Sequence, residues 1–148
     1  MGDLLKLEPR GDSKVLALVA HDGKKADMLS LAREHIGQLS RMELLATATT
    51  GTMLASELGL EVACSASGPE GGDLQIASLI STGKIDAVIF LRDPLTAHPH
   101  EPDIQALLKV CDIYSVPLAT NVSSAHILLE HLSRPEPAQP EQLSAAGC

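Results

Sequence analysis

Short apolar runs bounded by polar or glycine-bearing turns recur along the chain, and each is followed by a longer segment with helical spacing. The pattern predicts strands over residues 15–20, 42–46, 61–64, 87–91 and 118–121, and helices over 24–38, 51–58, 73–81, 102–114 and 124–132. Local chemistry supports several of these ends: Gly59 and Gly83 suit helix C-termini, Pro102 suits a first helical turn, and Pro117 blocks further helix before the last strand. Five apolar strands alternating with helices predict an α/β fold. We expect a single-domain, doubly wound sheet of five parallel strands, Rossmann-like or flavodoxin-like, with helices on both faces because parallel crossovers are right-handed. Residues 1–13 read as a polar lead and 14–132 as the folded domain. Residues 133–148, rich in Pro, Ala, Gln and Glu and without an apolar period, read as a disordered tail.

A chain of 148 residues is one domain and long enough to bury a core. Only Phe90 and Tyr114 are aromatic, so that core must be aliphatic, which suits strands covered by helices. The net charge of -8, with no basic cluster longer than Lys24-Lys25, argues against a nucleic-acid surface. An anionic ligand must therefore be small, held by local amides and one or two cations. Cys64, Cys111 and Cys148 form no CxxC pair and read as free thiols of a reducing compartment, the cytoplasm. No stretch approaches the roughly 18 apolar residues of a membrane helix, and the N-terminal residues are too polar for an export signal.

In an open parallel sheet the ligand binds at the carboxyl ends of the strands, so the residues just after each strand carry the chemistry. His21, Asp22 and Lys25 follow the first strand; Thr47, Ala48, Thr49, Thr50 and Gly51 follow the second. Ser67, Gly68, Gly71, Gly72 and Asp73 follow the third, while Asp93, His98, His100 and Asp103 follow the fourth. The threonine run leads into a helix, where free amides, the positive end of the helix dipole and three hydroxyls favour a phosphate. Simple capping of that helix is the competing explanation, as it is for Asp73 at the start of the next one. Gly68 and Gly72 allow close approach of backbone to a ligand. His98 and His100 lie among carboxylates where an imidazole can exchange protons. The His-Pro-His spacing could hold a metal but lacks a third ligand, and we assign none. His35, His126 and His131 read as solvated helix-face residues. A carboxylate, an imidazole and a phosphate cradle at one sheet edge suit proton abstraction next to a carbonyl, giving an enediol that can isomerise or expel phosphate. Spacing alone leaves Asp22, Asp73, Asp93 and Asp103 all open as the base.

The segments Leu18-Val19-Ala20-His21-Asp22, Ala46-Thr47-Ala48-Thr49-Thr50-Gly51, Ser67-Gly68-Pro69-Glu70-Gly71-Gly72-Asp73 and Pro99-His100-Glu101-Pro102-Asp103 together resemble the methylglyoxal synthase family. Asp93-Pro94-Leu95 and Pro117-Leu118-Ala119-Thr120-Asn121 follow the same order and spacing, so the resemblance spans about residues 14–130. It implies a lyase that converts dihydroxyacetone phosphate to methylglyoxal and inorganic phosphate. Asp73 would be the base and His100 the group that polarises the carbonyl and moves protons between the enediol oxygens. His21, Lys25, Thr47, Ala48, Thr49, Thr50, Ser67 and Gly68 would contact substrate and phosphate, and Asp22, Asp93 and Asp103 would orient the site. The resemblance further implies a homohexamer without metal or organic cofactor, inhibited by phosphate. Ala48 departs from the usual Thr-Gly-Thr-Thr; a positive φ there would strain the methyl. Some relatives place a C-terminal arginine near a neighbouring subunit's phosphate, and here the tail offers only Arg134.

The same fold also resembles small regulatory domains that bind nucleotides or phosphate, as at the end of carbamoyl phosphate synthetase. Asp73 and His100 favour the enzyme, since such domains need no base. A purely structural assembly protein would leave the polar residues at the strand ends unexplained.

Overall fold

The computed structural model describes residues 13–134. Residues 1–12 of the polar lead and 135–148 of the tail lie outside the described residues. Five parallel strands form one sheet: β1 (Val15–Ala20), β2 (Glu43–Ala46), β3 (Val62–Cys64), β4 (Ala87–Leu91) and β5 (Leu118–Ala119). Their spatial order is β3-β2-β1-β4-β5, the Rossmann-like alternative of the two expected. The helices are α1 (Lys25–Glu34), α2 (Ile36–Leu39), α3 (Ala48–Leu58), α4 (Gly72–Ser81), α5 (Glu101–Ile113) and α6 (Val122–Leu132).

Alternation along β1 builds two cores. Leu16, Leu18 and Ala20 face one side with Met28 and Leu31 of α1, Leu54 of α3 and Leu128 and Leu129 of α6. Val15, Ala17 and Val19 face the other with Ile76 and Ile80 of α4 and Ile104 and Leu107 of α5. All six residues of β1 are buried, as a central strand covered on both faces requires. Phe90, the one aromatic ring of the core, is fully buried beside α4 and α5. Cys64 and Cys111 form no disulfide among the described residues, and burial pushes the Cys111 thiol up to about 11.

Several boundaries differ from the pattern-based expectation. The segment predicted as one helix over 24–38 is a 3-10 turn (Asp22–Lys24), then α1 and the single turn α2, broken at His35, whose φ of -110° and ψ of 23° leave the helical region. Helix α3 begins at Ala48, three residues before the expected 51, so Thr49 and Thr50 belong to its first turn. Gly59 ends it at a left-handed φ of 68°, where glycine carries no Cβ penalty.

Candidate active site

The chain order reverses between β1 and β4, and the crevice at their carboxyl ends is where such sheets bind ligands. A cavity of about 550 Å3 opens there. It is lined by His21, Asp22 and Lys25 after β1, Thr47 and Thr49 at α3, Ser67, Gly68 and Asp73 around the start of α4, and Asp93, His98 and His100 after β4. Ten of the expected site residues therefore converge. Ala48, Thr50 and Asp103 do not line it.

Asp73 is the second residue of α4 and is completely buried, yet neither carboxylate oxygen has a hydrogen-bond partner. A capping aspartate would accept a first-turn amide; this one does not, so the capping explanation fails for it. Burial pushes its carboxyl above the ordinary range, His100 opposes that rise, and Asp103 adds to it. The three other aspartates are placed differently. Asp22 is fully exposed and lies 3.3 Å from Lys25 Nζ. Asp93 accepts from the Thr96 hydroxyl at 2.7 Å and the Leu95 amide at 3.1 Å, and these bonds hold its carboxylate below the usual range. Asp103 sits in the first turn of α5 and acts on the site through its charge. Geometry thus separates four aspartates that spacing had left equivalent.

His100 presents Nε2 to Asp73 Oδ2 at 3.6 Å, while its buried Nδ1 has no partner. His21 accepts the Asp93 amide on Nδ1 at 2.8 Å, which leaves Nε2 as its protonated nitrogen. That Nε2 is buried and unpartnered. Burial first, then His98, His100 and Arg92, bring the His21 imidazole down to about 4, with Asp93 opposing them. At neutral pH His21 is therefore an uncharged N–H donor aimed into the cavity. His98 stacks on it, with ring centroids 3.7 Å apart and planes 25° apart, and lies edge-on to His100 at 5.6 Å. Its Nε2 is also buried without a partner. The His-Pro-His spacing flagged both histidines, but no sequence signal showed that the loop folds His98 back onto His21.

Glycine shapes the walls. A Cβ on Gly68 would stand 3.1 Å from His100 Nε2 and 3.6 Å from Asp73 Oδ2. At Gly72 the close approach is to the chain's own backbone, since a Cβ would meet the Ala66 carbonyl oxygen at 2.0 Å. The expectation that Gly72 makes room for a ligand is corrected accordingly: it makes room for the loop that presents Asp73.

The threonine run keeps its hydroxyls free of capping. Thr47 is the N-cap of α3 and makes no side-chain cap bond; the Thr50 hydroxyl is buried without a partner. Thr47 and Thr49 face the cavity, so hydroxyls and first-turn amides stand where an anion would bind. Ala48 is helical, and Ser115 is the one non-glycine residue with positive φ among the described residues. The strain considered for Ala48 is therefore absent. Lys25, the only Lys or Arg among the described lining residues, is anchored by donating to the Ala20 carbonyl at 2.9 Å. Arg134 lies 3.7 Å from Glu130 on the exposed face of α6 and does not line the cavity.

Residues 27–120 match the family described as MGS-like domain. The methylglyoxal synthase of Cupriavidus taiwanensis is 55% identical over 119 residues, covering 80% of this chain and 90% of that protein. That of Ralstonia nicotianae is 49% identical over 130 residues, covering 88% and 96%. The crystal structure of methylglyoxal synthase from Elizabethkingia anophelis superposes with a TM-score of 0.75 at 36% identity, covering 85% of this chain and 94% of that one. On sequence and on fold alike, the chain belongs to the methylglyoxal synthase family.

Proposed function

We propose that the chain is a lyase converting dihydroxyacetone phosphate to methylglyoxal and inorganic phosphate, with Asp73 as base and His100 as proton carrier. The observation that carries this reading is a buried carboxylate with two unpartnered oxygens, 3.6 Å from an imidazole, inside a cavity floored by a helix N-terminus. Asp73 takes a proton from C3, and the electron pair moves into the C2–C3 bond as the carbonyl becomes an enediolate oxygen. The buried N–H of His21 and the His100 imidazole donate to the developing oxyanion. His100 carries the C3 hydroxyl proton to the C2 oxygen; the C3 oxygen then closes to the aldehyde carbonyl, the C2–C3 π pair shifts to C1–C2, the C1–O bond to phosphate breaks, and phosphate leaves toward the α3 amides, Thr47, Thr49 and Lys25. Protonation of the resulting enol at its terminal carbon gives the methyl group of methylglyoxal. The balance requires no oxidant, metal or organic cofactor.

Ser67 and Gly68 complete the substrate contacts in this reading, while Ala48 and Thr50, which do not line the cavity, contribute their backbone amides alone. Asp22 and Asp93 hold Lys25 and His21 in place, and Asp103 adjusts Asp73. Inorganic phosphate, the product, would compete for the same cradle. The protein would act in the cytoplasm as a bypass of glycolysis. No described helix is long and apolar enough to cross a membrane, and the net charge of -8 disfavours nucleic acid. A homohexamer would cover apolar surface such as adjacent, exposed Ile113 and Tyr114, and sedimentation of the purified chain gives its mass.

Incubation with dihydroxyacetone phosphate, following methylglyoxal and phosphate together, tests the reaction. Equimolar release that vanishes in a folded Asp73→Asn variant supports the lyase and its base. No release above the spontaneous rate, with inorganic phosphate still bound, would instead indicate a regulatory binding module.

A further inference from the structure

On the helical face opposite α4 and α5, two histidines expected to be solvated meet instead. His35, at the break between α1 and α2, places Nε2 2.8 Å from Nδ1 of His126 on α6. His35 is held on its far side, and the Glu34 carboxylate approaches His126. His35 Nδ1 lies 2.6 Å from Gln38 Oε1, and His126 Nε2 lies 3.5 Å from Glu34 Oε2. The Gln38 amide is oriented in turn, because its Nε2 donates to the Ser133 hydroxyl at 3.3 Å while that hydroxyl donates to the Glu130 carbonyl at 2.9 Å.

Hydrogen counting then decides the tautomers. An amide oxygen only accepts, so His35 carries its proton on Nδ1 and turns the Nε2 lone pair toward His126. The 2.8 Å contact is then a hydrogen bond from His126 Nδ1–H, and the place of that proton between two imidazole nitrogens is one that a metal ion can take. Glu34, His35 and His126 each bring one ligand atom to within 4.8 Å of the others, and two imidazoles with a carboxylate are a donor set of borderline divalent metals. The Gln38 oxygen on the far side of His35 matches the partner that orients a metal-bound imidazole.

We propose that His35 Nε2 and His126 Nδ1, with the Glu34 carboxylate, form a binding site for a divalent transition metal of the zinc type, separate from the catalytic cavity. The ion would join the end of α1 to α6, which already pack together. Zinc–nitrogen bonds of about 2.0–2.1 Å set the two nitrogens roughly 3.3 Å apart, so the rings must open by about half an ångström. His126, 40% exposed at its side chain, has the freedom to do so, and water completes the coordination.

The test is calorimetric titration of the untagged, chelator-stripped full chain with zinc chloride, comparing the wild type with His126→Ala, His126→Asn and Glu34→Gln. Circular dichroism of each variant checks the fold. The expected result is one zinc per chain that both His126 variants lose, an affinity about tenfold weaker in Glu34→Gln, and a rise in the wild-type melting temperature with zinc that the His126 variants lack. Subtracting the His126 variants removes any zinc taken up by the imidazoles of the catalytic cavity. Equal zinc uptake by the wild type and either folded His126 variant overturns the proposal and leaves a hydrogen bond alone between the rings.

Discussion

The Asp93 backbone amide donates to His21 Nδ1 at 2.8 Å, and this bond fixes the tautomer of an imidazole that burial keeps uncharged. A proton added on Nδ1 would have to break it. With the imidazole brought down to about 4 against an ordinary 6.5, the folded state binds fewer protons than the unfolded state between those values. Stability from His21 is therefore present above pH 6.5 and lost as pH falls toward 4. His21→Asn keeps an acceptor for the amide and removes the titration. Urea unfolding from pH 7 to 4 should fall more steeply in the wild type than in the variant, by up to ~3 kcal/mol. Parallel curves would refute the assignment.

Asp73 has the opposite sign. Its carboxyl is raised by burial, so the stability it permits is full below the ordinary 3.8 and is lost as pH climbs through the raised value. Once ionised, a buried and unpartnered carboxylate burdens the fold in exchange for reactivity. Asp73→Asn should therefore be more stable than wild type at pH 7 while losing catalysis. The gap should close as pH approaches 4, and a melting series across that range measures it. A variant less stable than wild type at pH 7 would show that the carboxylate is satisfied in solution.

His98 stacks on His21 at 3.7 Å and keeps an unpartnered Nε2 inside the cavity, which fits a further donor to the substrate. His98→Leu should lower kcat/KM about tenfold, the worth of one hydrogen bond of roughly 1.4 kcal/mol. His98→Gln, which retains an N–H at a similar reach, should recover most of it. Equal losses in both variants would assign His98 to packing alone.

Much of this site was legible because strand ends in a parallel α/β sheet announce themselves: β4 was read at its observed bounds, and ten expected residues line one cavity. What spacing could not separate was the role of each aspartate. Burial and partners decide that, and both depend on how the loop from Ser67 to Gly71 packs against the residues after β4. The α1–α2 break at His35 was illegible for a related reason. Its apolar period continues through Leu39, and the ring's contact with His126 crosses 91 residues of sequence. The strain considered at Ala48 came from the glycine usual at that place in the family; α3 begins three residues before the expected 51, and Ala48 has no positive φ.

Gly68 and Gly72 should fail in different ways when each becomes alanine. At Gly68 the new methyl meets the far end of the His100 side chain, so Gly68→Ala should fold normally and displace the imidazole from Asp73. A shift of a fraction of an ångström predicts a kcat lower by about tenfold to a hundredfold. Gly72→Ala drives a methyl into the Ala66 carbonyl, which is backbone and cannot rotate away. Its expected cost is about 3 kcal/mol or more of stability. Thermal unfolding and phosphate release on both variants separate the two effects, and a stable Gly72→Ala would contradict the packing of this loop.

Ala48→Gly asks whether the alanine in the proposed phosphate cradle handicaps the site. Ala48 is the first residue of α3, has no positive φ, and does not line the cavity, so its methyl neither strains the chain nor touches the ligand space. The amide it would offer to phosphate is unchanged by the substitution. Glycine in a helix adds backbone entropy to the unfolded state, at a cost of up to about 1 kcal/mol and less at the first turn. The variant should therefore match wild type in kcat and KM within about twofold and melt at the same or a slightly lower temperature. A KM for dihydroxyacetone phosphate that drops tenfold would mean that the first turn of α3 rearranges to a glycine-like conformation when phosphate binds.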